Sequence, residues 1–471
     1  MRFFRITHYI LVFLFINAVT TTAQEAIYVD TISVEGNKKT STSIILRELH
    51  FKLGDTIFIA DLEWILEESE QLVMNTGLFN KTTISFKNWE GATNKVHIHI
   101  EVEEAWYIYP VPIFELADRN FNVWWVEQGR SLQRINFGVE FTHINFTGQK
   151  DKLKLTAKYG YTRSYSLRYS LPYINKAQTL GINFNISYSR NREINYLTLG
   201  NKQAFYRDED RFIRKRFWAI TGLSFRPGLR ATHLFKASFI QNTIDNVVAK
   251  DLNPDYFIDG RSLQRFFKLS YRFAYDYRDI RPYPEKGYYI EAEIEKDGLG
   301  IFNDRNALTL QARYDAYIPI SNRWTTSLKT RGKYSFIRKK QPYNDNRAIG
   351  FGQHVIHGFE LYIIDGLDMV YTQSSIRFKF FENKINFGKL MPIKAFRNMP
   401  FKTYLTFNND VGFVNAPFTT ENNQNILENT LLWGGGIGLD IVLFYDKVIS
   451  IEYSHNHLWE SGLFLHLNLN I

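Results

Sequence analysis

The chain changes its hydrophobic period once, near residue 105. From Trp106 onward apolar and polar residues alternate, the period of a strand with two unlike faces. Leu153, Leu155, Ala157 and Tyr159 share one face; Lys152, Lys154, Thr156 and Lys158 share the other. The split recurs at Phe267, Leu269, Tyr271, Phe273 and Tyr275 against Lys268, Ser270 and Arg272. Leu328, Gly332, Tyr334 and Phe336 oppose Lys329, Arg331 and Lys333 in the same way, and the last alternating run sets Leu463, Leu465, Leu467, Leu469 and Ile471 against His466, Asn468 and Asn470. Before Trp106 the pattern is mixed. Ile27 to Val34 is strand-like and stops at Gly36-Asn37, and Thr42 to Leu49 reads as a short helix. From Asp61 to Thr76, Leu62, Ile65, Leu66, Leu72 and Val73 fall on one helical face, ended by Gly77. Residues 82–86 and 96–102 are alternating strands around a turn at 88–94. The order predicted for residues 24–104 is β-α-α-β-β, a small α/β domain.

The cations decide what the long β region is. Several strands carry two or three Lys or Arg on one face, and their apolar faces would need a partner sheet in a soluble sandwich. In a transmembrane barrel the apolar faces meet lipid and the cations meet a wet lumen. Residues 105–471 hold about sixteen such segments, roughly 23 residues each with its connection, which suits strands of about ten residues plus loops. A first strand running outward puts the long connections 191–212, 241–264 and 338–368 outside and the short ones at 226–231, 320–323 and 445–447 inside, the outer-membrane pattern. Residues 382–400 break the rule as a long inside connection. The fold class predicted is mainly β: a transmembrane antiparallel barrel behind one small α/β domain.

Composition then fixes the compartment. Arg2 and Arg5, the apolar run Tyr9 to Val19 and the small residues Thr21-Thr22-Ala23 before Gln24 have the layout of a removable secretory signal over residues 1–23. No later stretch is apolar enough for a membrane-spanning helix. Aromatic residues make up 16% of the chain and charged residues 22%, a pairing that two-faced strands accommodate. The formal charge is +9. Its even spread behind a secretory signal points to a basic lumen and loop surface rather than to nucleic acid. With no cysteine there is no lipidated N-terminus, disulfide or cysteine metal site.

Three short motifs carry a family resemblance: Ile356-His357-Gly358-Phe359 in the longest outer loop, Phe407-Asn408-Asn409-Asp410-Val411-Gly412, and Asp276-Tyr277-Arg278-Asp279 followed by Pro284 and Gly287. They are similar to the V/I-R-G-F/Y loop signature, the F-x-D-x-G element and the D-x-R-D…P-x-x-G strand-turn-strand of the BamA/TamA family of outer-membrane assembly and translocation proteins. The β-α-α-β-β unit resembles a POTRA domain. The resemblance implies that the 338–368 loop folds back into the lumen, where its motif residue meets the acidic residue of the second motif. Here His357 stands where the family has arginine, so a His357–Asp410 latch is expected to be weaker or pH-dependent, because histidine is mostly neutral near pH 7 unless a carboxylate holds its proton. The other reading of His357 is an ordinary loop histidine.

Pro110 and Pro112 are two apart, so their missing N–H groups fall on one edge of the first barrel strand. That edge would close poorly against the last strand, Leu463, Leu465, Leu467, Leu469 and Ile471, and suits a seam that opens sideways. Alternatively the strand begins only after Pro112, with 105–112 a linker. His97 and His99 face one way on a strand, and His455 and His457 sit in an outer loop; with no third ligand in sight they read as solvated faces, and no metal or other cofactor is expected. Alternate carboxylates at Glu291, Glu293 and Glu295 line a lumen as readily as a hydrolase site, and no nucleophile-elbow, zinc-protease or phosphate-loop motif is present. Gly434-Gly435-Gly436-Ile437-Gly438 lies inside a strand pattern, where glycine marks a bend or a close backbone approach.

The expectation is a non-enzymatic assembly or translocation factor of a Gram-negative outer membrane, with its N-terminal domain in the periplasm. Its partners would be outer-membrane lipids, unfolded outer-membrane or secreted client proteins, and periplasmic chaperones or accessory lipoproteins. A diffusion pore or structural barrel, and a secretion pore dedicated to one protein, are the alternatives.

Overall fold

A computed structural model of the chain describes residues 25–468 apart from 92, 176, 303, 389–396, 420–422 and 444–446. The expected signal peptide, Leu469 and Ile471 lie outside the described residues. Two compact units divide between Glu104 and Ala105.

The first unit contains β1 (Ala26–Glu35), α1 (Thr42–Leu46), β2 (Thr56–Phe58), α2 (Ile59–Met74), β3 (Phe79–Glu90) and β4 (Lys95–Glu104). Its sheet order is β2-β1-β4-β3, with β1 and β4 parallel in the middle. Alternation sends Val96, Ile98, Ile100 and Val102 of β4 into the core with Ile27 and Val29 of β1, Ile44 and Ile45 of α1, and Leu72 and Val73 of α2, all buried. The expected order lacked β2. That strand is three residues pairing with Ala26–Tyr28, too short for any period to show. His97 and His99 both hydrogen-bond the Ser33 hydroxyl, at 2.7 and 2.8 Å.

The second unit is a sixteen-stranded sheet, antiparallel throughout. Its strands are β5 (Ile108–Leu116), β6 (Ile135–Ile144), β7 (Lys152–Gly160), β8 (Thr162–Leu171), β9 (Leu180–Asn191), β12 (Arg214–Phe225), β13 (Ala231–Ile244), β14 (Leu263–Asp276), β15 (Gly287–Asp297), β16 (Ala307–Pro319), β17 (Trp324–Ser335), β20 (Asp368–Asn386), β21 (Asn398–Asn415), β22 (Leu431–Leu443), β23 (Lys447–Asn456) and β24 (Ser461–Asn468). Each pairs with its neighbours in chain order. Two hairpins, β10 (Glu193–Leu199) with β11 (Lys202–Arg207) and β18 (Arg347–Ile349) with β19 (Ile364–Asp365), sit inside the long connections, and a short helix, α3 (Phe121–Val126), lies between β5 and β6.

This unit is built inside out. Leu463, Phe114 and Leu431 are exposed, whereas Asp315, Asp410 and Glu360 are fully buried. The lumen face is held by cross-strand ion pairs. Glu291, Glu293 and Glu295 of β15 meet Arg272, Lys236 and Lys268, at 3.5, 2.8 and 3.3 Å.

Residues 382–400 are not the long connection expected. β20 runs on to Asn386 and β21 starts at Asn398, and the two pair to their ends. A register shift between Lys379 and Phe381 reverses the alternation there, leaving Phe380 and Phe381 both exposed and hiding the strand from a period-two reading.

At the loop end three connections pack into one layer. The Asn201 side-chain oxygen accepts from the Ile426 and Leu427 N–H groups at 2.8 and 3.1 Å, and its amide donates to the Ile363 carbonyl at 3.2 Å. Beside it Ile194, Ile213, Val248, Tyr256 and Phe257 form an apolar cluster that Tyr343 covers.

Candidate functional site

The longest connection enters the lumen and lies across the wall of β20 to β23. Gln373, Asp410, Gly434 and Asn456 are partners in register on these four strands, forming one row across the wall. That row meets three loop residues, Val355, His357 and Gly358. Gln373 Nε2 donates to the Val355 carbonyl at 3.1 Å, and Asp410 accepts from the His357 backbone N–H at 3.0 Å. The His357 carbonyl passes over Gly434, where an added Cβ would stand 1.9 Å from it. Asn456 Nδ2 donates to the Gly358 carbonyl at 2.8 Å. Only glycine fits at 434, so that member of the glycine run marks a close approach. At Gly412 a Cβ would fall 2.5 Å from Ile356 Cδ1. Ile356 and Phe359 are buried in a cluster with Ile349, Val414 and Leu432.

The structure brings His357 and Asp410 together, with Nδ1 2.7 Å from Asp410 Oδ2. It adds a partner that the sequence reading missed: Nε2 lies 3.2 Å from Glu452 Oε2. Burial alone would lower the imidazole pKa, but the adjacent Asp410 carboxylate, its hydrogen bond and then Glu452 push it up to about 9. The ring is cationic at neutral pH and holds one carboxylate on each nitrogen. It thereby spans two acceptors, as a guanidinium fork would. His354, three residues earlier, goes the other way. Burial and then Arg331, Lys333 and Arg313 push it down to about 4, and its Nδ1 lies 3.2 Å from the Tyr371 hydroxyl. Opposite charges on the nearby walls separate the two histidines.

The third motif sits at the other end of the lumen. Arg278 forks onto Asp276 at 2.8 and 2.9 Å, and Arg281 reaches the same carboxylate at 3.0 Å. Asp279 accepts from the Glu285 N–H at 3.2 Å, and Gly287 opens β15. The turn so fixed folds inward onto β20 to β22. Arg377 donates to the Pro284 carbonyl at 3.1 Å, and the Tyr283 and Tyr404 hydroxyls donate to Asp440 and Glu285 at 2.7 and 2.6 Å.

β5 and β24 end the sheet, and no ladder joins them among the described residues. β5 contains both prolines rather than starting after Pro112. The Tyr107 carbonyl accepts from the Ile144 N–H, so odd-numbered residues turn their peptide groups toward β6. Pro110 and Pro112 therefore face the free side. Leu463 and Leu467 are exposed on β24, and Leu465 bonds to Asn122 of α3.

Two family models match the chain: the Omp85 superfamily domain over residues 145–366, and the surface antigen variable number repeat, a POTRA model, over residues 27–105. Among solved structures, BamA from Haemophilus ducreyi lacking POTRA domains 1–3 superposes with a TM-score of 0.52 at 15% identity, over 94% of this chain and 83% of that one. CdiB from Escherichia coli gives 0.50 at 9% identity, over 95% and 90%. A search of curated protein sequences finds no match. Omp85 proteins are non-enzymatic outer-membrane barrels with periplasmic POTRA domains that insert or secrete client proteins. A POTRA-type α/β unit followed by sixteen antiparallel strands fits that plan, and the Omp85 domain at 145–366 behind the POTRA repeat at 27–105 supports a BamA/TamA-type Omp85 protein.

Proposed function

We propose that this chain assembles client proteins into the outer membrane by strand addition at the POTRA sheet and lateral release through the seam between β5 and β24. The observation that carries the reading is the seam. Prolines at 110 and 112 deprive the free side of β5 of two donors, and no ladder closes it onto β24 among the described residues. An edge short of donors pairs weakly, so parting it costs little backbone hydrogen bonding. Residues 27–105 would offer a sheet edge to an extended segment of the client, with main-chain bonds giving affinity. Burial of the client's apolar face in lipid supplies the driving force. Outer-membrane lipids, unfolded clients, and periplasmic chaperones or accessory lipoproteins are the partners this role requires; no cofactor enters it.

A diffusion pore fits less well, because the packed layer around Asn201 lies across the loop end and the 338–368 loop occupies the lumen. The chain has no cysteine, so a pair introduced in Ile113–Leu116 and Ser461–Leu467 can lock the seam cleanly. Oxidation should abolish outer-membrane protein assembly while the barrel keeps its heat-shifted gel mobility. Full assembly with the lock verified would rule out lateral release. Depletion of the chain followed by a census of outer-membrane proteins then separates broad assembly, with many proteins lost, from secretion of a single partner.

A further inference from the structure

The free side of β24 is occupied by a side chain. Leu465 donates its N–H to Asn122 Oδ1 at 3.1 Å, and Asn122 Nδ2 points at the Leu465 carbonyl at 3.5 Å. A carboxamide carries one acceptor and one donor in the spacing of a peptide group. It meets Leu465 as a residue on a neighbouring strand would, taking one N–H and facing one C=O. Leu465 spends both groups on this contact, so its peptide faces away from β23, while Phe464 and His466 turn toward it. Asn122 itself is buried, at 4% exposed.

α3, which carries Asn122, is a helix of six residues and too short to hold itself. Its anchors lead to the lumen loop. Asn120 caps it by accepting from the Val123 N–H at 2.8 Å, and the same Asn120 side chain donates to the Glu360 carbonyl at 2.8 Å. Arg119 donates to the Gly350 carbonyl at 3.2 Å. The helix that covers the β24 edge is thus tied to the loop that His357 fastens to the wall.

We infer that Asn122 is a displaceable clasp on the β24 edge, standing where the peptide group of an added strand would stand. α3 must withdraw before an extended segment can pair along Leu463–Leu467. The inference rests on the lateral-release reading and adds the residue that keeps the edge occupied between clients. An edge left bare in the membrane would pair with any chain presenting unsatisfied backbone groups. A side-chain stand-in satisfies the groups of Leu465 and, being a single contact, comes off readily.

The test uses the full chain in lipid nanodiscs and two readouts. Hydrogen exchange at the Leu465 amide reports the clasp, with Phe464 and His466 as internal controls. In Asn122→Ala the Leu465 amide should exchange roughly tenfold faster, as expected for losing about one hydrogen bond. Asn122→Asp keeps the acceptor and should retain most of the protection, which separates loss of the clasp from collapse of α3. Capture reports the edge. Leu467→Cys is challenged with a synthetic peptide of alternating leucine and threonine bearing one cysteine, and a proline-interrupted version serves as the blank. Capture should rise several-fold when Asn122→Ala is added. Equal Leu465 exchange in wild type and Asn122→Ala overturns the clasp, whatever capture does. Faster exchange without added capture leaves Asn122 as a tie and sinks strand acceptance at this edge, whereas failure of the locked-seam experiment sinks lateral release itself.

Discussion

The two units solve opposite problems with one strand pattern. In β4 the alternating isoleucines point into a dry core and the histidines and glutamates point out. In the barrel the alternating leucines point out and the buried positions include Asp315, Asp410 and Glu452. Water lies outside the first unit and inside the second. Period two therefore says that a strand has two faces, but not which face is the interior. The surplus of cations on one face decides that, because only a wet interior ringed with carboxylates tolerates them.

The largest effect that sharpens this contrast comes from one substitution made in both units. Ile98→Lys puts an unpaired charge into the core of a small domain and should unfold it, read as complete proteolysis of residues 25–104 at room temperature. Leu328→Lys, on the exposed face of β17, should cost about 2–4 kcal/mol at most and leave a barrel that still shows heat-shifted mobility. Equal damage at both positions would break the inside-out assignment.

Next in size is Asp410→Asn. It leaves a partly buried imidazole with Glu452 alone and should loosen the 338–368 loop by about 3 kcal/mol, the scale for breaking a buried pair, read as protease nicking of that loop in intact cells. His357→Ala and Asp410→Asn together should cost less than the sum of the two, since they share the His357–Asp410 contact.

A graded effect of similar size is the pH dependence of the wild type. Holding the folded pKa near 9, above the unfolded value of about 6.5, makes the histidine's contribution complete below pH 6.5. The contribution falls as pH rises and is gone above about 9. Loop nicking should therefore increase between those limits in wild type, stay flat and low in His357→Arg, and stay high at every pH in His357→Ala. A wild-type profile as flat as that of His357→Arg would show that the ring is not what the carboxylates hold.

Much of the architecture was legible because period two, the cationic faces and the loop lengths all act locally along the chain. The site was legible only in part. The motifs named His357 and Asp410, yet the wall row Gln373, Asp410, Gly434 and Asn456 comes from four strands and becomes a row only through register. Glu452 was hidden for the same reason, and it turns a histidine expected to bind weakly into a two-sided cation. The glycine run announced a close approach without saying to what. Asn122 gave no signal at all, being one polar residue in an aromatic helix of six. The bulge near Phe380 concealed the end of β20 by reversing the parity on which the reading relied.

The bond between Asn122 and Leu465 also has a kinetic meaning. It joins residues 343 apart in the chain, whereas neighbouring strands of the sixteen-stranded sheet follow one another along the chain. Hairpins close short loops and form early; a contact spanning nearly the whole unit meets its loop-closure cost only after the intervening sheet exists. The clasp is then the last stitch of the barrel's own biogenesis. A contact formed that late should bear on the rate of opening rather than on the rate of folding. Changes at Asn122 should shorten the lifetime of the sealed state while leaving the speed of folding into lipid nearly untouched.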